Sequence, residues 1–281
     1  RRVSLLRTDE DTTQARFNLA FDDGGETRNL KAKVGAVWRS SDRSYRSSRT
    51  DYTPKTGFIY TLDKVDRPGP DKLIEGQYRL TPRIDVATAE AFYAANAASF
   101  DAKTAAPTGD YDVTEDVFAG YAQASYKIGD LTLLGGLRYE KTEVSSDAAR
   151  LSGGVLTPVS NSGDYDNWLP SLHLRWNLRQ NMVVRAAWTN TIGRPDFGSL
   201  AASESISFDG SQPTLSRGNP GLKARESEGL DLSFEYYPTD GLMSVALFTK
   251  DIANEIITHS SVQNQDVGRG VEAVIVSTPQ D

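Results

Sequence analysis

The chain has 281 residues, with 38 acidic and 31 basic side chains, a formal net charge of −7 and no cysteine. The lack of cysteine excludes disulfide scaffolds and cysteine-ligated metal sites, and the acidic balance without a basic block argues against nucleic acid as a partner. With 38% hydrophobic and 25% charged residues, the chain is predicted to fold, but no apolar run approaches the roughly 18 residues of a membrane-spanning helix.

Strict alternation of apolar and polar side chains predicts the first two strands, at about 14–21 and 30–39. The turn between them, Asp22-Asp23-Gly24-Gly25, has the composition of a tight hairpin. The second strand has one apolar face, with Leu30, Ala32, Val34, Ala36 and Trp38. Its other face is largely cationic, with Lys31, Lys33, Gly35, Val37 and Arg39.

The segment 40–113 is too long for a plain loop, so we expect it to have internal structure. Its first half is polar and contains several arginines and tyrosines, and it ends in the stretch Arg67-Pro68-Gly69-Pro70. Its second half is alanine-rich with helical spacing, which predicts a short helix near 85–100 with Asp85 as N-cap.

Seven further strands follow, making nine in all. They are predicted at about 114–128, 131–144, 165–178, 182–191, 226–237, 242–251 and 271–277. The connections alternate in length: tight turns such as Gly129-Asp130 and Arg179-Gln180-Asn181 alternate with long polar segments at 40–113, 145–164, 192–225 and 252–270. In an antiparallel meander, every second connection lies at the same end of the sheet, so one end is trimmed and the other is elaborated.

This asymmetry is typical of an outer-membrane β-barrel, which has short turns on one side, long loops outside, lipid-facing apolar side chains and a polar lumen. The predicted fold is therefore all-β, an antiparallel up-and-down transmembrane barrel with a short helix in one long extracellular loop. A soluble β-sandwich would also alternate its faces, but its strands usually have about 5 to 6 residues. The strands predicted here are closer to the roughly 9–11 residues of a tilted membrane strand.

Six motifs carry a resemblance to a known family. They are Gly135-Gly136-Leu137-Arg138-Tyr139-Glu140-Lys141-Thr142, Trp168-Leu169-Pro170-Ser171-Leu172, Val184-Arg185-Ala186-Ala187-Trp188-Thr189, Ile192-Gly193-Arg194-Pro195-Asp196-Phe197, Gly218-Asn219-Pro220-Gly221-Leu222-Lys223 and Phe248-Thr249-Lys250-Asp251-Ile252. In this order and spacing they resemble the β-barrel of TonB-dependent outer-membrane receptors. The fifth motif departs from the family, because Ala224 and Arg225 stand where Pro-Glu is usual.

The resemblance implies that the chain is a segment of a larger barrel of about 22 strands around a plug. We find no plug domain, no TonB box and no aromatic-ended last strand, and the chain starts at Arg1 without a methionine or a signal segment. We therefore expect residues 1–281 to be an internal piece of the barrel, with 40–113 as a long extracellular loop.

The function implied by the resemblance is uptake of a scarce solute, such as a siderophore, cobalamin or an oligosaccharide, across the bacterial outer membrane. The implied partners are the outer-membrane lipid, the solute, and the TonB–ExbB–ExbD energy-coupling complex acting through the plug. Two other functions stay open on the residues alone: a soluble or surface β-sandwich that binds glycans, and a passive porin.

Two sets of candidate site residues follow. The lumen-facing set, which would hydrate the lumen or contact a plug, is Lys31, Lys33, Arg138, Glu140, His173, Arg175, Arg185, Asp231 and Glu235. The solute-binding set near the mouth is Arg39, Arg43, Tyr45, Arg46, Arg194 and Arg217, which would suit an anion or a sugar.

Enzyme and metal sites are not expected. The two histidines, His173 and His259, lie far apart and lack ligand partners at a suitable spacing. The Gly-Gly pairs at 24–25, 135–136 and 153–154 lack the context of a phosphate-binding motif, and no nucleophile elbow occurs. The sequence therefore predicts no catalytic residue, metal ligand or cofactor.

Overall fold

The computed structural model describes residues 2–59, 61–67, 83–152, 155–208, 212–268 and 270–281. The chain divides into two compact units. The first, which we call the loop unit, comprises Arg1–Leu6 and Ser47–Ala106. The second, the wall unit, comprises Arg7–Arg46 and Pro107–Asp281. Residues 68–70 of the Pro/Gly stretch and the pair Gly153-Gly154 lie outside the described residues.

Most of the described chain is β-strand. In chain order the strands are β1 (Arg2–Asp22), β2 (Arg28–Pro54), β3 (Asp66–Arg67), β4 (Arg83–Ile84), β5 (Phe100–Thr104), β6 (Tyr111–Ile128), β7 (Leu131–Ser152), β8 (Val155–Arg179), β9 (Met182–Gly193), β10 (Glu204–Ser207), β11 (Thr214–Arg217), β12 (Arg225–Tyr236), β13 (Met243–Ala253), β14 (Ile257–Asp266) and β15 (Val271–Gln280). The α-helices are α1 (Val86–Ala95) and α2 (Phe197–Leu200). Within the described ranges, no helix is long and apolar enough to span a membrane.

The wall unit is built on one sheet whose strands run in the order β1-β2-β6-β7-β8-β9-β12-β13. The pairings recorded along it are antiparallel. In the described chain β1 and β13 are the two edges, so the barrel is not closed here. The antiparallel up-and-down architecture predicted from the sequence is confirmed, and its first eight predicted strands are the eight strands of this order. The ninth strand of the sheet is β5, which pairs with β2 outside this order.

The register assigns the two faces, because residues directly opposite one another in a sheet share a face. One continuous row crosses seven strands on what we call the outward face: Leu30, Tyr126, Leu133, Leu174, Ala186, Leu232 and Leu247. Toward the long-loop end, the outward pair Tyr139 and Trp168 has ring centroids 4.8 Å apart. Most large outward side chains are exposed; Leu247, for example, is 66% exposed. The alternation therefore places an uncovered apolar surface on one face of the wall.

Most strands of the wall are longer than predicted, mainly at the end opposite the short turns. In the segment 145–164, predicted to be a loop, residues 145–152 continue β7 and residues 155–164 belong to β8, with Ser145 opposite Ser162 and Asp147 opposite Ser160. Polar and apolar side chains are mixed on both faces of this extension, as in the pairs Ser145–Ser162 and Ala148–Val159, so the apolar alternation used to predict strands is missing there. Backbone pairing, which does not depend on side-chain polarity, carries the ladder beyond the apolar region.

The ninth predicted strand was assigned to the wrong sheet. Strand β15 belongs to a separate four-stranded sheet with the order β10-β11-β15-β14, and β14 lies within the predicted loop 252–270. Its pairing with β14 is antiparallel and its pairing with β11 is parallel. The segment 271–277 has the alternation of a wall strand, but its inner side chains Val274 and Val276 are buried against Leu215 and Val267. We call this sheet the small sheet.

In the loop unit, α1 lies within the predicted range. Asp85 is the N-cap and accepts hydrogen bonds from the backbone N–H of Thr88 at 3.0 Å and from its hydroxyl at 2.6 Å. This capping satisfies a free N–H of the first turn. Aromatic contacts join the helix to neighbouring segments, with Tyr93 lying 5.3 Å from Phe100 and 5.0 Å from Tyr52 between ring centroids. Strand β5 pairs with the end of β2.

Candidate functional site

The inward face of the wall unit carries a cluster of five charged side chains, which we call the inward cluster: Arg39, Glu115, Arg138, Glu140 and Arg194. Four of them come from the adjacent strands β2, β6 and β7, and Arg194 follows the end of β9. Register places the strand members in neighbouring rows of the same face, since Arg39 lies opposite Val117, and Glu140 opposite Ala119. The pleat of three strands therefore brings distant parts of the sequence together.

The charges of the inward cluster alternate in sign. The Arg39 Nη2 atom donates to Glu115 Oε1 at 2.5 Å, and Arg194 Nε lies 3.9 Å from the same oxygen. The guanidinium of Arg194 also bonds Glu140, which pairs in addition with Arg138. The result is a chain of ion pairs that links β2, β6 and β7 through Arg194, which follows the end of β9.

Both carboxylates of the inward cluster are buried, so each needs a cation beside it. The Glu115 residue is 4% exposed and Glu140 is 6% exposed. Removing the cation from a buried carboxylate costs about 3–5 kcal/mol, because the remaining charge is left without compensation. With three guanidinium groups and two carboxylates, the cluster keeps one excess positive charge at neutral pH.

Arg194 is held in place by the described residues of the segment 194–224, some of which pack on the inward face at the long-loop end. Leu200 and Leu222 of this segment are buried with Val113 and Val144 of the wall. The N-cap of α2 is Asp196, whose carboxylate accepts from the Ser199 backbone N–H at 2.9 Å. These contacts fix the segment that carries Arg194.

Two glycines allow the backbone of this segment to approach closely. A Cβ atom at Gly218 would lie 2.1 Å from the carbonyl oxygen of Ala201, and one at Gly163 would lie 2.3 Å from that of Pro220. Real Cβ atoms essentially never come so close to another heavy atom. The segment is therefore packed against β8 and against itself at backbone distance.

A second ion cluster joins the wall to the small sheet. Glu204 is 3% exposed, and its Oε1 atom lies 2.9 Å from Arg150 Nε and 3.1 Å from Arg217 Nη2. The Arg217 side chain also donates to Gln265 of β14 at 3.2 Å. We call this set the latch, because it links β7, β10, β11 and β14.

The structure separates the six predicted solute-binding residues. Arg39, Arg43 and Tyr45 lie on the inward face of β2, and Arg194 joins Arg39 in the inward cluster. By contrast, the guanidinium of Arg46 bonds the outward carboxylate of Asp112 at 2.6 Å.

The sixth residue, Arg217, belongs to the latch and not to the inward cluster. Near the end of the wall, Arg43 lies over the ring of Phe197, 5.6 Å from its centroid, and Tyr45 stacks on Tyr111 at 5.3 Å. The six residues therefore lie in three different places: the inward face, the outward face and the latch.

The nine predicted lumen-facing residues share one face by register. They are Lys31, Lys33, Arg138, Glu140, His173, Arg175, Arg185, Asp231 and Glu235. Within this set Arg185 pairs with Glu235 at 3.0 Å, and Lys33 lies 5.8 Å above the centroid of the Tyr121 ring. Their face is the one that carries the inward cluster.

Sequence reasoning missed Glu115, Arg150 and Glu204. Glu115 lies in the predicted strand 114–128, an even number of residues before Tyr121 and Gln123, so the alternation along the strand could have placed it on the inward face. Glu204 and Arg150 lie in segments predicted to be loops, and no periodic signal marked them. Among the described residues, no group of three or more His, Cys, Asp or Glu side chains could hold a metal ion.

Comparisons with known proteins agree with this architecture. The family described as TonB dependent receptor-like, beta-barrel matches residues 2–277. The solved structure of the ferric citrate transporter FecA in the unliganded form is similar, with a TM-score of 0.54 and 12% identity, over 97% of this chain and 31% of FecA. The siderophore receptor PiuA from Acinetobacter baumannii is similar with a TM-score of 0.50 and 13% identity, over 98% of this chain and 35% of PiuA.

At such identities the structural likeness shows the fold alone. The chain spans about a third of the length of these two receptors. No match was found among the curated proteins. The family match covers nearly every residue, and the two-faced antiparallel wall is the architecture that this match implies. The chain belongs to the TonB-dependent receptor β-barrel family.

Proposed function

We propose that this chain is part of the wall of an outer-membrane receptor that takes up a scarce solute with energy supplied through TonB. The observation that carries the proposal is the two-faced wall. Its outward face is an exposed apolar surface, whereas its inward face holds buried and paired charges. In the proposed receptor the apolar outward face contacts the lipid of the bilayer, and the charged inward face lines a polar interior.

The exposure of the outward face argues against the glycan-binding β-sandwich. A sandwich buries its apolar face against a second sheet. Here Leu230 and Leu232 in the middle of the wall are 52% and 50% exposed. Their surroundings are those of lipid-facing side chains, not of a sandwich core.

The family favours active uptake over a passive porin. In a receptor of this family, a plug would fill the lumen and the inward charges would contact it, with TonB, ExbB and ExbD supplying the energy. We propose that a plug and further strands belong to the same protein, and that 40–113 is extracellular. We also propose that Arg39, Arg43 and Arg194 lie on the route of the solute, because they share the inward face.

Ferric siderophore complexes are the first solute class to test. The two solved structures described above are named as a ferric citrate transporter and a siderophore receptor. A cobalamin or an oligosaccharide is the alternative cargo within the same transport mechanism.

The test is uptake by the native protein in its own cell. We expect the full-length protein to fractionate with the outer membrane and to require detergent for extraction. Under iron limitation, deletion of its gene should reduce uptake of a radiolabelled ferric siderophore from a panel, and so should deletion of tonB. Uptake that persists without TonB would indicate a porin, and a soluble product of about the mass of this chain would refute the barrel.

A further inference from the structure

A groove lies on the inward face next to the inward cluster. It has a volume of about 590 Å³ and is lined by β6, β7, β8 and β9 together with Arg194. This volume is within the range of small-molecule sites, roughly 300–1,000 Å³. The lining side chains that can bind a polar ligand include Gln123, Arg138, His173, Thr189 and Arg194.

The charge of the groove is positive. Two guanidinium groups, those of Arg138 and Arg194, line it, and Glu140 is its one carboxylate among the described lining residues. That carboxylate is already bonded by both arginines. Since Glu115 is committed to Arg39 in the same way, the excess charge of the inward cluster has no counter-ion within it.

Unsatisfied atoms show what kind of group is missing. The Nε–H donor of Arg194, which lines the groove, is buried and has no hydrogen-bond acceptor. A buried donor without an acceptor is costly, and more so when it belongs to a charged group. This orphan is a donor on a cation, so the acceptor that suits it best is an anionic group.

We propose that this groove binds a carboxylate, with Arg194 as the principal contact and Arg138 as the second cation. Guanidinium groups bind carboxylates through short, charge-assisted hydrogen bonds, often two at a time. The inference rests on the proposed function, since it names an anionic class of solute for the same lumen. The carboxylate belongs either to the free solute or to an acidic side chain of a plug.

The experiment uses the full-length receptor in detergent and two probes of the same shape. Succinate carries two carboxylates, and succinamide is its neutral counterpart. We expect calorimetry to detect binding of succinate but not of succinamide to the wild type. In Arg194→Gln the affinity for succinate should fall by about tenfold or more, because a charge-assisted pair is lost.

Two further variants keep the test independent of folding defects. Arg194→Lys retains the charge but loses the Nε donor, so it should restore only part of the affinity. Arg225→Gln is the matched control, because Arg225 pairs with Glu255 at an exposed position and should leave binding unchanged.

The outcomes also separate the two sources of the carboxylate. Binding of succinate that depends on Arg194 supports a site for the solute. The alternative is that succinate does not bind, but that Arg194→Gln increases hydrogen exchange in an acidic segment of the plug whereas Arg225→Gln does not. In that case the carboxylate belongs to the plug, and the inference also stands. If neither effect is seen, the inference is wrong.

Uptake measured on the same variants distinguishes this failure from failure of the proposed function. TonB-dependent uptake by the wild type, together with neither effect of Arg194, would refute the groove alone. TonB-independent uptake with Arg194-dependent binding of succinate would refute active transport and leave the carboxylate site in place.

Discussion

The two halves of the wall unit are built from the same strands but are stabilised differently. Near the short turns, alternation exposes apolar side chains such as Leu133 and Leu232 on the outward face. Near the long loops, the segment 194–224 and the small sheet pack on or beside the strands and bury Leu200, Leu215 and Val274. We call these the turn half and the mouth half.

The difference shows where each half obtains its stability. The mouth half carries its own hydrophobic clusters and buried ion pairs, so its packing is internal to the protein. The turn half has few buried side chains and depends on backbone pairing, and in the proposed receptor lipid would cover its outward face. The same ladder of strands is therefore covered by protein in the mouth half and uncovered in the turn half.

The largest expected effect comes from emptying the core of the mouth half. Leu200 is fully buried, so Leu200→Ala should lower the local free energy of unfolding by about 2–5 kcal/mol. Hydrogen exchange of the amides in 111–117 and 197–202, measured in detergent, should report the loss. The matched control is Leu247→Ala on the outward face, which should leave these amides unchanged; equal effects would refute the division into two halves.

A charge on the outward face should break the turn half instead. Leu232→Arg in the middle of the apolar rows should destabilise the membrane-inserted barrel by about 2–4 kcal/mol. Its neighbour Ser233 points inward, so Ser233→Arg should cost much less. Urea unfolding in phospholipid vesicles would compare the two, and a reversed order would mean that the faces are assigned the wrong way round.

The latch provides an intermediate effect. Glu204→Gln removes the buried carboxylate that joins Arg150 and Arg217, and should loosen the small sheet by about 1–3 kcal/mol. Faster exchange in 257–266 and 271–280 is the expected readout. Glu255→Gln breaks an exposed pair with Arg225 and is the control, since such pairs contribute little.

The smallest effect should lie outside the wall unit, at the cap of α1. Hydrogen bonds from the Thr88 hydroxyl and then from its backbone N–H hold the pKa of Asp85 below its ordinary value. A lowered pKa in the folded state means that the cap stabilises the helix above the ordinary pKa and is lost as the pH falls through the lowered one.

Asp85→Ala should therefore lower the protection of the α1 amides at pH 7, measured relative to their intrinsic exchange, and abolish the acid dependence of that protection. Persistence of the dependence in the variant would show that another group is responsible. Amides of the wall unit serve as the internal control, because they do not depend on this cap.

Much of the turn half could be predicted from the sequence, because its physics is simple. Each residue faces either the outward or the inward side of the wall, so apolar and polar side chains alternate, and turns of Gly, Asp and Asn mark the strand ends. The mouth half gave no such signal. The extension of β7 and β8 mixes polar and apolar side chains on both faces. Strand β15 alternates because it covers the core of the small sheet.

The inward cluster was predictable only in part. The alternation of side chains along each strand placed Arg39, Arg138 and Glu140 on one face. It does not predict which of these residues lie next to one another across the strands. That information comes from the register across β2, β6 and β7. The position of Arg194 depends on the packing of a segment that has no periodicity. Arg46 lies on the outward face because β2 continues as a strand beyond residue 39, so that its odd positions, Arg39 and Arg43, face inward and its even positions face outward.

The parallel pairing of β11 with β15 has a consequence for the order of folding. Thr214 lies opposite Ile275, and the hairpin β12–β13 and strand β14 lie between them in the chain. Contacts between residues so distant in sequence form slowly, because closing the intervening loop costs conformational entropy. We therefore expect the pairing of β11 with β15 to form after the local hairpin β12–β13, so that the small sheet is completed later than this part of the wall.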